Sequence, residues 1–152
     1  STPKPSSAAS DVYKRQAQNR IYLDHSCYIS PEAQASILHL LEKPDVAACC
    51  SVLSQSSVML AQALQQCGKA GRIFAVGSDV FAENMTALQD KVLNNLVQKN
   101  PYAQGYLGIK TLVEYLVQGK APEQNTIYVG SEVVFRSNAV MYDSGNFRGL
   151  LI

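Results

Sequence analysis

An aspartate at the end of an apolar run is the residue of this sequence best suited to hold a ligand. The stretch RIFAVGSD begins at Arg72 and ends at Asp79, with the small residues Gly77 and Ser78 just before the carboxylate. The apolar run predicts a buried strand over residues 72–77. A carboxylate at its end can accept hydrogen bonds from two neighbouring hydroxyl groups. The alternative is that Asp79 caps a short helix predicted over residues 81–88, and its position alone favours neither.

Polar side chains also lie at the ends of two other predicted strands. Apolar residues at 20–24 predict a short strand, and those at 46–52 predict a strand of the continuous type that is covered on both faces. The polar residues at these ends are Asp24, His25, Ser26, Ser54, Gln55 and Ser56. Open parallel α/β sheets bind ligands outside the carboxyl ends of their strands. We therefore expect these residues near Asp79.

Helices are predicted between these strands. Ser30 and Pro31 open one, because serine caps free amides and proline suits the first helical position. Serines at 54–57 supply caps for a second helix, which Gly68 ends. This alternation predicts an α/β fold with an open, mostly parallel sheet and helices on both faces.

The second half contains a strand that runs into a long helix, over residues 96–120. Asn100 is the predicted N-cap, Pro101 the first helical residue and Gly119 the end. Two short strands follow, at 126–130 and 132–135. The helix carries one apolar stripe, made of Tyr102, Tyr106, Ile109, Leu112, Val113 and Leu116.

Composition and missing motifs exclude several classes of protein. A net charge of +1 and a pI of about 7.6 favour no nucleic-acid surface. No apolar run reaches the roughly 18 residues of a membrane span. There is no GxGxxG, P-loop or GxSxG motif, and no acid, base or nucleophile set converges, so we expect no enzyme and no cofactor. The four cysteines form no CxxC pair, so we expect small buried thiols in a reducing compartment rather than a metal site.

Residues 1–19 are set apart from the fold. They are polar, rich in Ser, Pro and Ala, and without period. The segment DVYKRQ at 11–16 back-translates as GAT GTG TAT AAG AGA CAG, which is similar to the end of a transposon adapter used in sequencing libraries. We interpret this stretch as adapter-derived or as a disordered linker, and residues 20–152 as the C-terminal portion of an effector-binding domain.

Three segments together resemble the sugar-binding domain of LacI-type transcription regulators, a fold shared with periplasmic sugar-binding proteins. They are GSD after its strand, ALQDKVLNNLVQKNPYAQGYLGIKTLVEYLVQGK, and TIYVGSEVVFRSNAVMY, so the resemblance runs from about residue 46 to 142. It implies a two-lobed domain. Most of the C-terminal lobe would be present here, and Pro101–Gln118 would belong to the opposite, missing lobe.

The resemblance also implies roles for individual residues. Asp79 matches the aspartate that hydrogen-bonds sugar hydroxyls. Ser54 or Gln55 stands where the family often has an asparagine that touches the sugar. Lys99 stands near the family's glutamine before the proline, and it would suit a phosphorylated or acidic sugar or else point to solvent. His25 has no firm counterpart; it is a candidate ligand residue or simply a polar residue at a strand end.

The function implied is that of a cytoplasmic regulator. A sugar would close the two lobes of a homodimer and change how an N-terminal helix-turn-helix, absent here, binds DNA. The alternative is the sugar-binding component of a periplasmic transport system. A helix-turn-helix or a signal peptide upstream would separate the two.

Overall fold

A computed structural model describes residues 21–25 and 29–142 of the chain. Five helices and four strands alternate within this part. They are α1 (Pro31–Glu42), β1 (Ala48–Cys50), α2 (Ser54–Gln66), β2 (Phe74–Ser78), α3 (Ala82–Gln89), β3 (Asn95–Gln98), α4 (Pro101–Gln118), β4 (Glu132–Val134) and a final 3₁₀ helix (Ala139–Tyr142). The interpretation of residues 1–19 as an adapter or linker lies outside the described residues.

The four strands form one mixed sheet in the order β1-β2-β3-β4. β1, β2 and β3 run parallel, and β4 pairs antiparallel with β3. The predicted open, mostly parallel α/β sheet is confirmed. Sequential parallel strands joined by right-handed crossovers place both connecting helices on the same face. α2 and α3 are those helices, and they pack on each other as well as on β2 and β3.

The hydrophobic core lies between this face of the sheet and the two helices. Leu64 of α2, Leu88 of α3 and Leu96 of β3 are fully buried there, and α1 joins through Leu41. The core packs tightly against the sheet at Gly77. A β-carbon built there would lie 2.8 Å from Leu96 Cδ2 and 2.9 Å from Leu93 Cδ1, so only glycine fits without a shift.

One of the three predicted helix starts is wrong in its cap. The N-cap of α2 is Leu53, which makes no side-chain capping hydrogen bond, so the serines at 54–57 do not supply the predicted cap.

The other two helix starts are capped as predicted. Ser30 Oγ accepts a hydrogen bond from the Ala33 N–H at 3.1 Å, and Asn100 Oδ1 accepts one from the Ala103 N–H at 3.1 Å. Gly119 ends α4 in the left-handed conformation, with φ +66°. The bounds of α4 therefore match the prediction, because caps and proline act within one turn of the chain.

Three predictions about strands and burial are wrong. Residues 21–24, within the first predicted strand, are irregular, and so are residues 126–130. The segment 46–52 is not covered on both faces: within the described residues, the three-residue strand β1 lies at the sheet's edge, and Val52 is exposed. An edge strand lacks a neighbour on one side, so its apolar residues stay in contact with water.

The cysteines are also less buried than expected. Cys50 is exposed, while Cys49 and Cys67 are half-buried, and all three are free thiols. The edge position of β1 accounts for Cys50. Cys27 lies outside the described residues.

Helix α4 stands largely free of the core. Ala103 is its one buried residue, whereas Ile109 and Leu116 are 65% and 69% exposed. Tyr102 and Tyr106 stack on each other, with ring centroids 6.3 Å apart. In the part of the chain that the structure describes, every helix is too short or too polar to serve as a membrane span.

Candidate ligand site at the carboxyl ends of the parallel strands

Hydrogen bonds at the end of strand β2 hold Ser78 and Asp79 in place. Ser78 is buried; its Oγ donates to the Ser51 carbonyl at 2.9 Å, and its N–H donates to Ser57 Oγ at 2.8 Å. The next N–H, that of Asp79, donates to the Val97 carbonyl at 3.0 Å. The end of β2 is thereby tied to β1, to α2 and to β3.

Asp79 adopts a left-handed backbone conformation, with φ +64°. Aspartate and asparagine tolerate this region better than most residues, and such conformations concentrate at functional sites. Asn100, just after β3, is also left-handed, with φ +48°. The chain thus turns sharply at the carboxyl ends of two adjacent strands.

A buried asparagine of α3 holds this turn through hydrogen bonds to backbone carbonyls. Asn84 of α3 is fully buried, and its Nδ2 lies 2.8 Å from the Ser78 carbonyl, 3.2 Å from that of Ser54 and 3.3 Å from that of Asp79. One amide group therefore binds the end of β2 to the start of α2. Sequence reasoning missed Asn84. The available signal was a polar residue at the same helical spacing as the apolar Ala87 and Leu88.

The Asp79 carboxylate forms an ion pair with Lys99. Oδ2 lies 3.1 Å from the Lys99 ammonium, and the same ammonium donates to the Val52 carbonyl at 3.1 Å. These three residues follow β2, β3 and β1 respectively, so the pair joins the ends of all three parallel strands. The Asp79 side chain is 18% exposed and that of Lys99 41%, so a ligand can reach both.

Asp79 does not cap α3. The N-cap of this helix is Phe81, which has no side-chain capping hydrogen bond. The alternative interpretation of Asp79 as a helix cap is therefore wrong.

The other predicted site residues are not joined to this pair. Ser54 is the half-buried first residue of α2, where its carbonyl accepts from Asn84, and Gln55 is exposed beside it. His25 is exposed at the end of the short described segment 21–25. The ion pair and the hydrogen bond from Lys99 to Val52 do not involve the side chains of these three residues. Their roles as ligand residues stay predictions.

The pair can bind a hydroxyl group through two complementary bonds. A carboxylate only accepts hydrogen bonds and an ammonium only donates them, while a hydroxyl does both.

Within residues 21–25 and 29–142, no three His, Cys, Asp or Glu side chains come together as a metal site would need.

The half-buried Cys49 thiol of β1 is a poor nucleophile. Burial, with smaller contributions from Cys50 and Cys67, raises the pKa of Cys49 to about 11. The thiol therefore stays protonated at neutral pH, whereas cysteine nucleophiles act as thiolates.

The fold and the polar residues at the strand ends together define the class: an α/β lobe of the kind whose ligand crevice lies at the carboxyl ends of parallel strands. Residues 24–121 match the family model of the periplasmic binding protein domain. This match covers more than half of the chain, and the chain belongs to that family. A search of curated proteins found no match.

Solved structures of similar fold come from transport and regulatory proteins. An ABC transporter solute-binding protein from Agrobacterium vitis, bound to α-D-tagatopyranose, has a TM-score of 0.74 at 21% identity, covering 92% of this chain and 46% of its own. A second from the same organism, with bound D-fucose, has a TM-score of 0.68 at 23% identity, covering 93% and 48%. A protein described as a LacI transcriptional regulator from Bacteroides fragilis has a TM-score of 0.57 at 24% identity, covering 72% and 36%.

These likenesses show the fold. The chain spans less than half the length of each of these relatives. The resemblance in the sequence to a periplasmic-binding-protein-like domain is confirmed at the level of this family.

Proposed function

We propose that this chain binds a sugar between Asp79 and Lys99 at the carboxyl ends of β1, β2 and β3. The observation that carries the proposal is the 3.1 Å ion pair that joins these strand ends at a surface open to solvent. The family supports it, and so do the sugars bound to the two Agrobacterium vitis relatives.

The site proposed here is one wall of a cleft. The exposed apolar stripe of α4, which starts two residues after Lys99, supports the interpretation that this helix packs in an opposing lobe. A ligand between two lobes would favour the closed arrangement by its higher affinity for that state. Ser54, Gln55 and His25 remain candidate ligand residues of this wall.

We further propose that the domain serves a cytoplasmic LacI-type regulator, which would act as a homodimer with a DNA-binding head. The three free cysteines support this setting, because thiols persist in reducing compartments. A second candidate is a transporter's sugar-binding component, which the two Agrobacterium vitis relatives favour. The upstream coding sequence would distinguish these two candidates. A helix-turn-helix there would support the regulator, and a signal peptide would support the transporter component.

A titration of the 152-residue chain tests sugar binding. A single wall is expected to bind weakly, so amide chemical shifts in NMR spectra, which report millimolar binding, are the suitable measurement. The panel is D-fucose, D-tagatose, D-arabinose, ribose, glucose and galactose. We expect at least one sugar to shift the amides of residues 53–55, 78–80 and 99–100. A panel that shifts none of them would contradict the proposal.

Variants of Asp79 test the site itself. A hydrogen bond to a charged group is worth about 1.5–3 kcal/mol, so Asp79→Ala should weaken binding by roughly ten- to a hundredfold. Asp79→Asn should weaken it less, because it keeps one acceptor. Asp90→Asn is the matched control, since Asp90 is exposed at the far end of α3. Equal affinity in Asp79→Ala and the Asp90 control would remove Asp79 from the site.

A further inference from the structure

Lys99 has little free positive charge to offer a ligand. Its ammonium lies 3.1 Å from Asp79 Oδ2 and donates to the Val52 carbonyl at 3.1 Å. An ammonium has three N–H donors. Two are therefore directed at the protein, and the formal charges of Lys99 and Asp79 cancel.

From this arrangement we infer that Lys99 makes the site selective for uncharged polyhydroxyl ligands over phosphorylated ones. The inference rests on the proposed sugar site. Lys99 acts by balancing and orienting Asp79, which leaves one N–H of its own and Oδ1 of the carboxylate for the ligand. Among the described residues, no hydrogen bond is made to that Oδ1.

A neutral sugar matches what the pair leaves open. One hydroxyl can donate to Asp79 Oδ1 and accept from the remaining N–H of Lys99, and neither bond breaks the ion pair. A phosphate only accepts hydrogen bonds and carries about −1.5 to −2 charges at neutral pH. It would gain the one N–H of Lys99 but lie against the Asp79 carboxylate, and like charges at that distance repel.

The backbone keeps Asp79 from turning away to relieve such repulsion. Its N–H is bonded to the Val97 carbonyl, its carbonyl accepts from the buried Asn84, and its φ of +64° confines it to the left-handed region. With the backbone held, the carboxylate can leave Lys99 only by rotating about its own side-chain bonds, which breaks the ion pair.

The experiment compares ribose with ribose 5-phosphate, and glucose with glucose 6-phosphate, by amide-shift titration of the 152-residue chain. Inorganic phosphate is titrated separately as a third ligand. We expect the neutral sugar that binds to do so at least about tenfold more tightly than its phosphate. We expect inorganic phosphate to leave the amides of Asp79 and Lys99 unmoved. Tighter or equal binding of the phosphosugar would overturn the inference while upholding a sugar site. Binding of neither form would sink the proposed function itself.

Two variants test the role of the pair. Asp79→Asn removes the negative charge and leaves that of Lys99 unbalanced, so the ratio of affinities should move about tenfold toward the phosphosugar. Lys99→Met keeps the length of the side chain and removes the balancing charge. It should weaken binding of the neutral sugar and exclude the phosphosugar more strongly. Asp90→Asn should leave the ratio of neutral-sugar to phosphosugar affinity unchanged. If Asp79→Asn behaved like the Asp90 control, the inference would be wrong.

Discussion

Helices α2 and α4 show how little the apolar content of a helix says about its burial. Both are amphipathic and well delimited. α2 buries six of its 13 residues, among them Leu60 and Leu64, whereas α4 buries one of its 18, Ala103. α2 connects two adjacent parallel strands, and that connection lays it back on the sheet. α4 connects antiparallel neighbours through the long segment 119–131, and this connection imposes no such packing.

The difference teaches that the local and tertiary requirements of a helix are separate. Caps and proline determine where a helix starts, and they act on both elements alike. Partners determine which residues it buries. The described part of the chain supplies partners to α2 and few to α4, and this contrast can be tested with matched substitutions in the two regions.

The largest effect should come from leucine truncation. Leu64→Ala in α2 should cost about 2–5 kcal/mol of unfolding free energy, because it leaves a cavity in the closed core. Leu116→Ala in α4, where the leucine is 69% exposed, should cost less than about 0.5 kcal/mol. Urea unfolding followed by far-ultraviolet circular dichroism measures both, since the chain has no tryptophan. A cost near that of Leu64→Ala at Leu116 would show that the stripe of α4 is covered in solution.

Glycine-to-alanine substitutions should have opposite signs in the two regions. At Gly77 the added methyl group would meet Leu96 and Leu93 at under 3.0 Å, so Gly77→Ala should destabilise the protein by about 1–3 kcal/mol through overpacking. At Gly105, inside α4, nothing lies within 4 Å of such a group. Gly105→Ala should favour the helix by about 0.5–1 kcal/mol.

Thermal melts and helix content, both followed by circular dichroism, measure the effects of the two glycine substitutions on stability and on α4. A loss of stability in Gly105→Ala would mean that another surface packs closely on this part of α4. A neutral Gly77→Ala would mean that the core at the strand end is looser than the structure shows.

The smallest effects should appear at the edge of the core, in neighbouring thiols of β1. Cys50 is exposed and Cys49 is half-buried, with a pKa raised from 9.0 to about 11. Iodoacetamide at pH 8 should therefore modify Cys50 well before Cys49, which peptide mass spectrometry can follow. Equal rates would show that β1 frays.

The same shift predicts a dependence of stability on pH. The unfolded chain releases the Cys49 proton near pH 9.0, whereas the folded protein holds it to about pH 11. The stability from this group is fully present below pH 9 and is lost as the pH rises toward 11. The Cys49→Ala variant should lose less stability over this interval in parallel urea titrations. An identical loss would assign the dependence to other groups.

Much of the candidate site was predictable, because the polar residue after a parallel strand is recognisable from the sequence. Asp79 was identified in this way and Lys99 from the family resemblance, and the structure brings the two together at the strand ends. Asn84 was missed because its role consists of contacts with the ends of two other elements. The wrong strands at 20–24 and 126–130 failed for a related reason: a short apolar run becomes a strand only when another strand pairs with it.

The sequence by itself determined the alternation of strands and helices from β1 to α4, the caps at Ser30 and Asn100, the end of α4 at Gly119 and the carboxylate after β2. These features depend on residues within a turn of one another. Only the tertiary structure decided that β1 is an edge strand, that α4 lies outside the core and that Lys99 neutralises Asp79. Each of these outcomes depends on which distant segment of the chain lies next to the residue. Burial, strand pairing and ion pairing are therefore properties of the neighbours as much as of the residue itself.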